Sequence, residues 1–441
     1  MTSLSHQPYK GTRDWYPEDM RIRNYIFDIW SKISRRYGYE QYDAPLLELL
    51  EVYTAKSGQE LAGEQTYTFT DRGDRTVAIR PEMTPSVSRM IAARRQEMAY
   101  PSRLFSIAQF MRYERPQRGR EREFWQLNVD IFGASGIDAE AEVIEMGAAY
   151  MKEFGAKPNM FTIKVNNREL INSMMSDYLE LDAVQSQMMV RLFDRKNKIS
   201  EEQFESQATE IFGRDASRGL SRIKRLAEAS NLDSLPSELQ SLESVSQLKV
   251  LFERLELSGV RNVEFDITLM RGFDYYTGTV FEFFDKHPEN NRAMFGGGRY
   301  DGLVGLFGAE PVSAVGIAPG LSTMQLFLES HNLLPRLDST TDVYIVVLSD
   351  SGSARKLAGE LREEGLNVEL GVEGRKVDRQ IKTAIKKSIP FMIFVGEEEA
   401  RTGIYNLKDV RSSEEQKASP ERIVSIILGS RRDKDDIEDL I

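Results

Sequence analysis

The chain contains no cysteine, which excludes disulfides, thiolate metal centres and cysteine nucleophiles. Histidine is nearly as scarce. His6, His287 and His331 stand far apart in the sequence, so a histidine-rich zinc site is not expected and hydrolytic triads are poorly supplied. Long apolar runs are also missing: the longest, such as Val343 to Leu348, fall far short of a membrane span, and Met1 to Lys10 has no apolar segment of the secretory kind. A cytoplasmic protein without a membrane partner is the expectation. There is no general basic coat either, because 58 Lys and Arg face 69 Asp and Glu for a formal net charge of -11. Any polyanion must therefore meet a local basic patch.

What remains is an ordinary globular composition, with 41% hydrophobic, 10% aromatic and 29% charged residues in 441, enough for two to four domains at roughly 100 to 200 residues each. Ile22, Ile26, Ile29, Trp30, Ile33 and Tyr37 recur at spacings of three and four after Pro17, the pattern of a helix buried on one face. Ser102 to Gly133 reads as strand, polar loop and strand. Residues 169–258, rich in Ser, Gln, Glu, Leu and Arg, read as a helical insertion within a first domain spanning 1–335. Strand signals return at Asn262 to Arg271 and Thr279 to Phe284, and a helical run near Leu321 to Leu328 closes that domain. Beyond a polar linker from Pro335 to Thr341, residues 342–428 alternate as β-α-β, a separate small α/β domain, and the charged stretch 430–441 reads as a frayed tail.

Candidate chemistry lies in a few segments. In Phe124-Trp-Gln-Leu-Asn-Val-Asp-Ile131, period-two alternation puts Gln126, Asn128 and Asp130 on one face, opposite Trp125, Leu127, Val129 and Ile131. That polar face is either the wet side of an edge strand or the floor of a pocket for a small polar ligand. The preceding loop, Arg112 to Arg122, carries five arginines against two glutamates, and a guanidinium fork matches phosphate oxygens at two points. It suits a nucleoside triphosphate or an RNA end; a solvated hairpin tip is the plainer alternative. Arg80-Pro-Glu-Met-Thr84 places a carboxylate and a hydroxyl after a strand, and Arg271-Gly-Phe-Asp-Tyr-Tyr-Thr-Gly278 brackets tyrosines and a carboxylate between glycines. Gly296-Gly-Gly-Arg-Tyr-Asp-Gly302 could bring backbone close to a purine or ribose, but it is neither a P-loop nor a dinucleotide fingerprint. ATP, if bound, must be held by arginines on a sheet.

Taken together and in order, Lys10-Gly-Thr-Arg-Asp14, Arg80 to Thr84, Phe110 to Arg120, Phe124 to Gly133, Arg271 to Gly278 and Gly298 to Gly302 resemble the histidyl-tRNA synthetase family of class II aminoacyl-tRNA synthetases. The resemblance implies an α+β fold: a class II antiparallel sheet with flanking helices, a helical insertion and a C-terminal mixed α/β anticodon-binding domain. It implies activation of L-histidine by ATP with Mg2+, transfer to the 3′ end of tRNA(His), a homodimer, and no resident metal or prosthetic group. By position, Glu82, Thr84, Gln126, Asp130, Tyr275 and Tyr276 would surround histidine. Arg112 and Arg271 would be catalytic, with Glu114 and Arg120 joining them at ATP, and Gln117 and Arg118 would meet tRNA. Asp130 and Tyr276 can hydrogen-bond an imidazole, while Glu82 and Gln126 can hold an ammonium group.

Two departures stand out. After Ala314 to Leu321, where many members carry an arginine, this chain reads Ser322-Thr-Met-Gln325, so either another arginine, such as Arg118 or Arg120 of the loop, supplies the charge for the γ-phosphate or ATP binding is weakened or lost. Asp130 is one methylene shorter than the glutamate of some members. Two other functions stay open: a synthetase-like regulatory subunit of ATP phosphoribosyltransferase, which binds histidine without aminoacylation, and an RNA-binding or sensor protein that keeps only the fold. The apparent anticodon domain argues against the first, and the arginine loop with the tyrosine segment against the second. Within 342–428, a helix from Arg375 would gather Arg375, Arg379, Lys382 and Lys386 within about 80° of one another, with Val377, Ile381, Ala384 and Ile385 opposite. That ridge is either a tRNA contact or a solvated face.

Overall fold

The computed structural model describes residues 4–54, 65–196, 199–229, 231–270, 275–290, 292–372 and 374–438, with side chains as far as Ser430. Two compact units result: Met1–Asp14 with Arg23–Leu334, and Trp15–Ile22 with Pro335–Ile441. The strands are β1 (Glu40–Gln41), β2 (Leu47–Leu49), β3 (Thr68–Thr70), β4 (Thr76–Ile79), β5 (Ser102–Met111), β6 (Glu123–Phe132), β7 (Phe161–Asn167), β8 (Val263–Phe265), β9 (Thr279–Asp285), β10 (Ala293–Arg299) and β11 (Ala314–Ile317) in the first unit. Eight of them form one sheet in the order β1-β5-β6-β11-β10-β9-β7-β8, antiparallel except for the β1/β5 and β7/β8 edge pairs, and β2-β4-β3 form a smaller sheet. This is the α+β architecture expected from the sequence.

Helix α1 (Pro17–Arg36) buries Ile26, Ile29, Trp30 and Ile33 of the predicted stripe, while Ile22 is only half-buried and Tyr37 lies past its end. Glu51–Thr54 makes a single helical turn, α2, and α3 (Thr84–Ala93) begins immediately after Glu82 and Met83. Helix α4 (Asp138–Glu153) packs on β6 and β11. It is tied to β10 by a buried two-point ion pair, in which Arg299 Nε and Nη2 donate to the Glu140 carboxylate at 2.6 and 2.5 Å.

Between β7 and β8 the described chain is helical: α5 (Arg168–Ser173), a π-turn at Met174–Tyr178, α6 (Ala183–Asp194), α7 (Glu201–Phe212), α8 (Ala216–Glu228), α9 (Ser237–Gln240) and α10 (Glu243–Leu257). Local sequence sets the starts. Asp182 with Gln185 and Ser200 with Gln203 form reciprocal capping boxes that satisfy orphan N–H groups at α6 and α7. The strand expected over Asn262 to Arg271 stops at Phe265, because Asp266 Oδ1 accepts from Thr268 N at 2.8 Å and turns the chain. Helix α11 (Leu321–Ser330) follows β11.

The second unit holds β12 (Val343–Val347), α12 (Ser351–Glu363), β13 (Val368–Leu370), α13 (Val377–Lys386), β14 (Phe391–Val395), α14 (Glu397–Thr402), β15 (Tyr405–Asp409), β16 (Glu415–Ala418) and α15 (Pro420–Glu438). Its sheet runs β13-β12-β14-β15-β16, with the first three parallel. Alternation along β12 splits the core: Val343, Ile345 and Val347 meet Leu357, Ala358 and Leu361, while Tyr344 and Val346 meet Ala384 and Met392. Two expectations are corrected here. The backbone stays helical through Glu438 instead of fraying from Ser430, since extending a helix already nucleated and docked by Ile423 and Ile427 adds a hydrogen bond per residue fixed. Ile385 is 54% exposed, not docked, because it lies at the edge of the apolar stripe; the buried residue beside Ala384 is Gln380, whose amide bonds both the N–H and the carbonyl of Val347.

Candidate active site

A cavity of about 530 Å³ opens on the polar face of the large sheet. Glu82, Thr84, Arg112, Glu114, Arg120, Gln126, Asp130, Tyr275 and Tyr276, nine of the positions singled out in the sequence, all line it. Gln117 and Arg118 do not line it but sit in the adjoining turn, and Arg379, Lys382 and Lys386 belong to the second unit. Arg271 lies outside the described residues.

The floor follows from register. Gly298 of β10 pairs with Gly316 of β11, which pairs with Asp130 of β6, so Gly316 stands beside the carboxylate and Gly298 one strand further. Both positions demand the missing side chain: a Cβ on Gly316 would overlap Asp130 Oδ1, and one on Gly298 would sit 2.9 Å from the Tyr276 ring. The glycine cluster thus makes room for protein groups that face the ligand, a different use from the close backbone approach to a nucleotide read from the sequence.

Asp130 is 3% exposed and accepts a short hydrogen bond from the Tyr300 hydroxyl. Its Oδ2 has no hydrogen-bond partner among the described residues, and neither has the buried Tyr42 hydroxyl. Burial pushes the Asp130 carboxyl up to about 7, against the opposing pull of Tyr300. Tyr276 lines the cavity but is not the partner of Asp130; Tyr300 is, a role the sequence alone did not assign. Within the same Gly298 to Gly302 segment, Arg299 and Asp301 serve the scaffold: Arg299 holds Glu140, and Asp301 Oδ1 accepts from Ala314 N at 2.8 Å.

At a second point on the wall, the Tyr275 hydroxyl donates to Glu82 Oε2 at 2.9 Å and fixes that buried carboxylate. Tyr275 itself packs with Val87 and Tyr300 in the core, so it supports Glu82 while bordering the cavity. Gln126 Nε2 donates to Ala318 O at 3.1 Å. Arg112 is held twice: Nε donates to Pro81 O at 2.9 Å, and the guanidinium lies 5.2 Å from the Phe124 ring centroid. Ser322, in the first turn of α11, donates to Glu121 at 3.0 Å, and Thr323 donates to Met294 O at 2.8 Å, so no cation stands in that turn. The cavity therefore offers carboxylates and amides for a small zwitterion and guanidiniums for a phosphate. Among the described residues no cluster of carboxylates and imidazoles could hold a metal.

Comparison with known proteins agrees with this chemistry. The family profile described as histidyl-tRNA synthetase matches residues 11–324, and that described as anticodon binding domain matches 342–429. A histidine–tRNA ligase of Leptospira biflexa is 42% identical over 414 residues, covering 93% of this chain and 94% of its own. A histidine–tRNA ligase of Halobacterium salinarum is 36% identical over 420 residues, covering 93% and 95%. In fold, the chain is similar to a histidyl-tRNA synthetase of Nostoc, with a TM-score of 0.82 at 23% identity, covering 98% of this chain and all of that one (100%). Both the profile that spans most of the sequence and the 42% identity over 93% of its length establish that the chain belongs to the histidyl-tRNA synthetase family.

Proposed function

We propose that the chain is a histidine–tRNA ligase, activating L-histidine with ATP and transferring it to the 3′ end of tRNA(His). The observation that carries the reading is Asp130: a buried carboxylate whose Oδ2 lacks a partner among the described residues, on the wall of a cavity that also holds Arg112. An imidazole N–H satisfies that acceptor. Glu82 and Gln126 take the ammonium group, so that an apolar isostere of histidine would leave buried polar groups unpaired. The regulatory-subunit alternative is disfavoured by the anticodon-binding match over 342–429.

In the first step, a carboxylate oxygen of histidine attacks the α-phosphorus of ATP in line; the bridging bond to the β-phosphate breaks and pyrophosphate leaves with that electron pair. Mg2+ arrives as part of the substrate, MgATP. Arg112 faces the negative charge that builds on the α-phosphate, and alignment replaces any protein nucleophile. In the second step, a terminal ribose hydroxyl of tRNA attacks the activated carbonyl and AMP departs. Incubation with ATP, Mg2+, radiolabelled histidine and tRNA(His) should give acid-precipitable label; none would reject the reading. We further take the protein to act in the cytoplasm as a homodimer, which sedimentation at micromolar concentration tests. No described helix is long and apolar enough to cross a membrane.

For the anticodon end we propose the outer face of α13. The helix begins at Val377, two residues later than the sequence suggested, since Lys376 keeps an extended backbone and leaves Arg375 ahead of the helix. Arg379, Lys382 and Lys386 are exposed, and among the described residues none of them forms an ion pair, whereas the neighbouring Lys387 is bound to Glu369 at 2.6 Å. Changing Arg379, Lys382 and Lys386 together to Glu should weaken tRNA binding. It should also flatten the salt dependence of that binding by about 0.7 to 0.9 for each phosphate no longer neutralised, with pyrophosphate exchange nearly unchanged. Unaltered tRNA affinity at low salt would return α13 to a solvated face.

A further inference from the structure

Behind the arginine loop the structure gathers more positive charge than it pairs. Residues Gln117 to Arg120 close a tight turn, with reciprocal backbone hydrogen bonds of 2.9 Å between Gln117 and Arg120 and with Gly119 at φ +72°. Gly119 is required there by its backbone conformation, and a Cβ would also crowd the Arg292 guanidinium and Leu326. Arg292 immediately precedes β10, whose Ala293 and Met294 line the cavity together with Gly119 and Arg120. Its Nη1 donates to Arg118 O at 2.7 Å, which pins the turn. Its Nη2 is buried and has no hydrogen-bond partner among the described residues.

Nearby carboxylates are committed elsewhere. Asp285 accepts from Asn290 Nδ2 at 2.7 Å and from His287 N at 2.8 Å, and lies 2.8 Å from His331 Nε2. Glu121 is engaged by Ser322 at 3.0 Å and by Arg13 at 3.7 Å. Among the described residues Glu114, 3.7 Å from Arg120, is the carboxylate paired with these arginines, and Asp285 acts on Arg292 only through space. Burial first, then Arg120 and Arg118, hold the Arg292 guanidinium below its ordinary range, against the weaker opposing pull of Asp285. Three guanidiniums brought together beside the cavity, of which Arg120 lines it while Arg118 and Arg292 stand just behind, with a buried donor left over, are arranged for a dense anion.

We infer that Arg292, together with Arg118 and Arg120, binds the β- and γ-phosphates of ATP, supplying from β10 and the turn the charge that the first turn of α11 lacks. The inference rests on the ligase reading above and adds Arg292 to its ATP site. It also assigns Arg118 to the triphosphate rather than to tRNA.

The split between ATP and AMP tests it, because AMP shares the adenosine and α-phosphate contacts but lacks the distal phosphates. With the full chain and Mg2+ in a calorimeter, Arg292→Gln should weaken ATP binding about 10-fold or more and AMP binding by less than about 2-fold. Arg292→Lys should recover part of the loss. Arg118→Gln, a substitution on an exposed turn that cannot disturb the core, should show the same split to a smaller degree. If the unaltered protein fails to bind ATP, the ligase reading itself falls. If it binds ATP but Arg292→Gln binds as tightly, or loses ATP and AMP alike, the reading stands and the inference is overturned. Loss of tRNA affinity with ATP affinity intact overturns it too, and makes RNA the polyanion served by these arginines.

Discussion

Replacing Arg112 with alanine should slow histidine-dependent pyrophosphate exchange about 10²- to 10³-fold, mostly in kcat, as does removing a preorganised donor from a site of developing negative charge. The expectation comes from how the side chain is held. Its Nε bond to Pro81 O at 2.9 Å and its stacking 5.2 Å from Phe124 fix the guanidinium plane before substrate arrives. Phe124 is fixed in turn, opposite Phe110 across the β5/β6 pair. A guanidinium oriented in advance loses little entropy when the transition state forms, so its loss falls on the chemical step more than on binding. Steady-state exchange at saturating ATP and histidine measures this directly. A decline of less than about 10-fold, or a change confined to the ATP Michaelis constant, would place Arg112 outside the reacting centre.

The second large effect concerns Asp130. Asp130→Asn keeps the shape and removes the charge, so the Michaelis constant for histidine should rise about 10- to 150-fold, the range for a hydrogen bond to a charged group, while that for ATP moves little. Equal effects on the two substrates would take Asp130 out of the amino-acid site. The same carboxyl makes stability depend on pH. Its folded value of about 7 lies above the ordinary 3.8, so the folded protein holds a proton that the unfolded chain has released. The stability this group contributes is complete below pH 3.8 and is lost as pH rises through about 7. Relative to Asp130→Asn, the unliganded protein should therefore lose up to about 4 kcal/mol between pH 4 and 8, read by denaturant titration at each pH. A flat difference across that interval would mean Asp130 ionises normally.

These residues differ in how far local sequence reveals them. Gln126, Asn128 and Asp130 were legible because a strand alternates its faces every two residues, and a polar face in a buried strand is unusual. The arginine loop stood out by its charge against an acidic chain. Tyr300 could not be matched to Asp130 from the sequence: the contact spans 170 positions and exists only because β11 lies between β10 and β6, with Gly316 opposite the carboxylate. Arg292 is hidden from local sequence for the same reason, since it meets the turn at Gly119 across 173 positions and belongs to no local motif. A wheel of about 100° per residue leaves Ile385 at the border of the stripe, where the neighbouring sheet decides which residues dock. Periodicity reveals which face is polar or apolar; the partner across the sheet needs the topology.

The most direct test is exchange of radiolabelled pyrophosphate into ATP by the unaltered protein, with and without L-histidine and in the absence of tRNA. The reading of Arg112, Asp130 and Glu82 as one site predicts exchange that requires histidine and Mg2+ and that is not supported by other amino acids. Histidine binding without any exchange would contradict it and make the chain a histidine-binding regulatory protein.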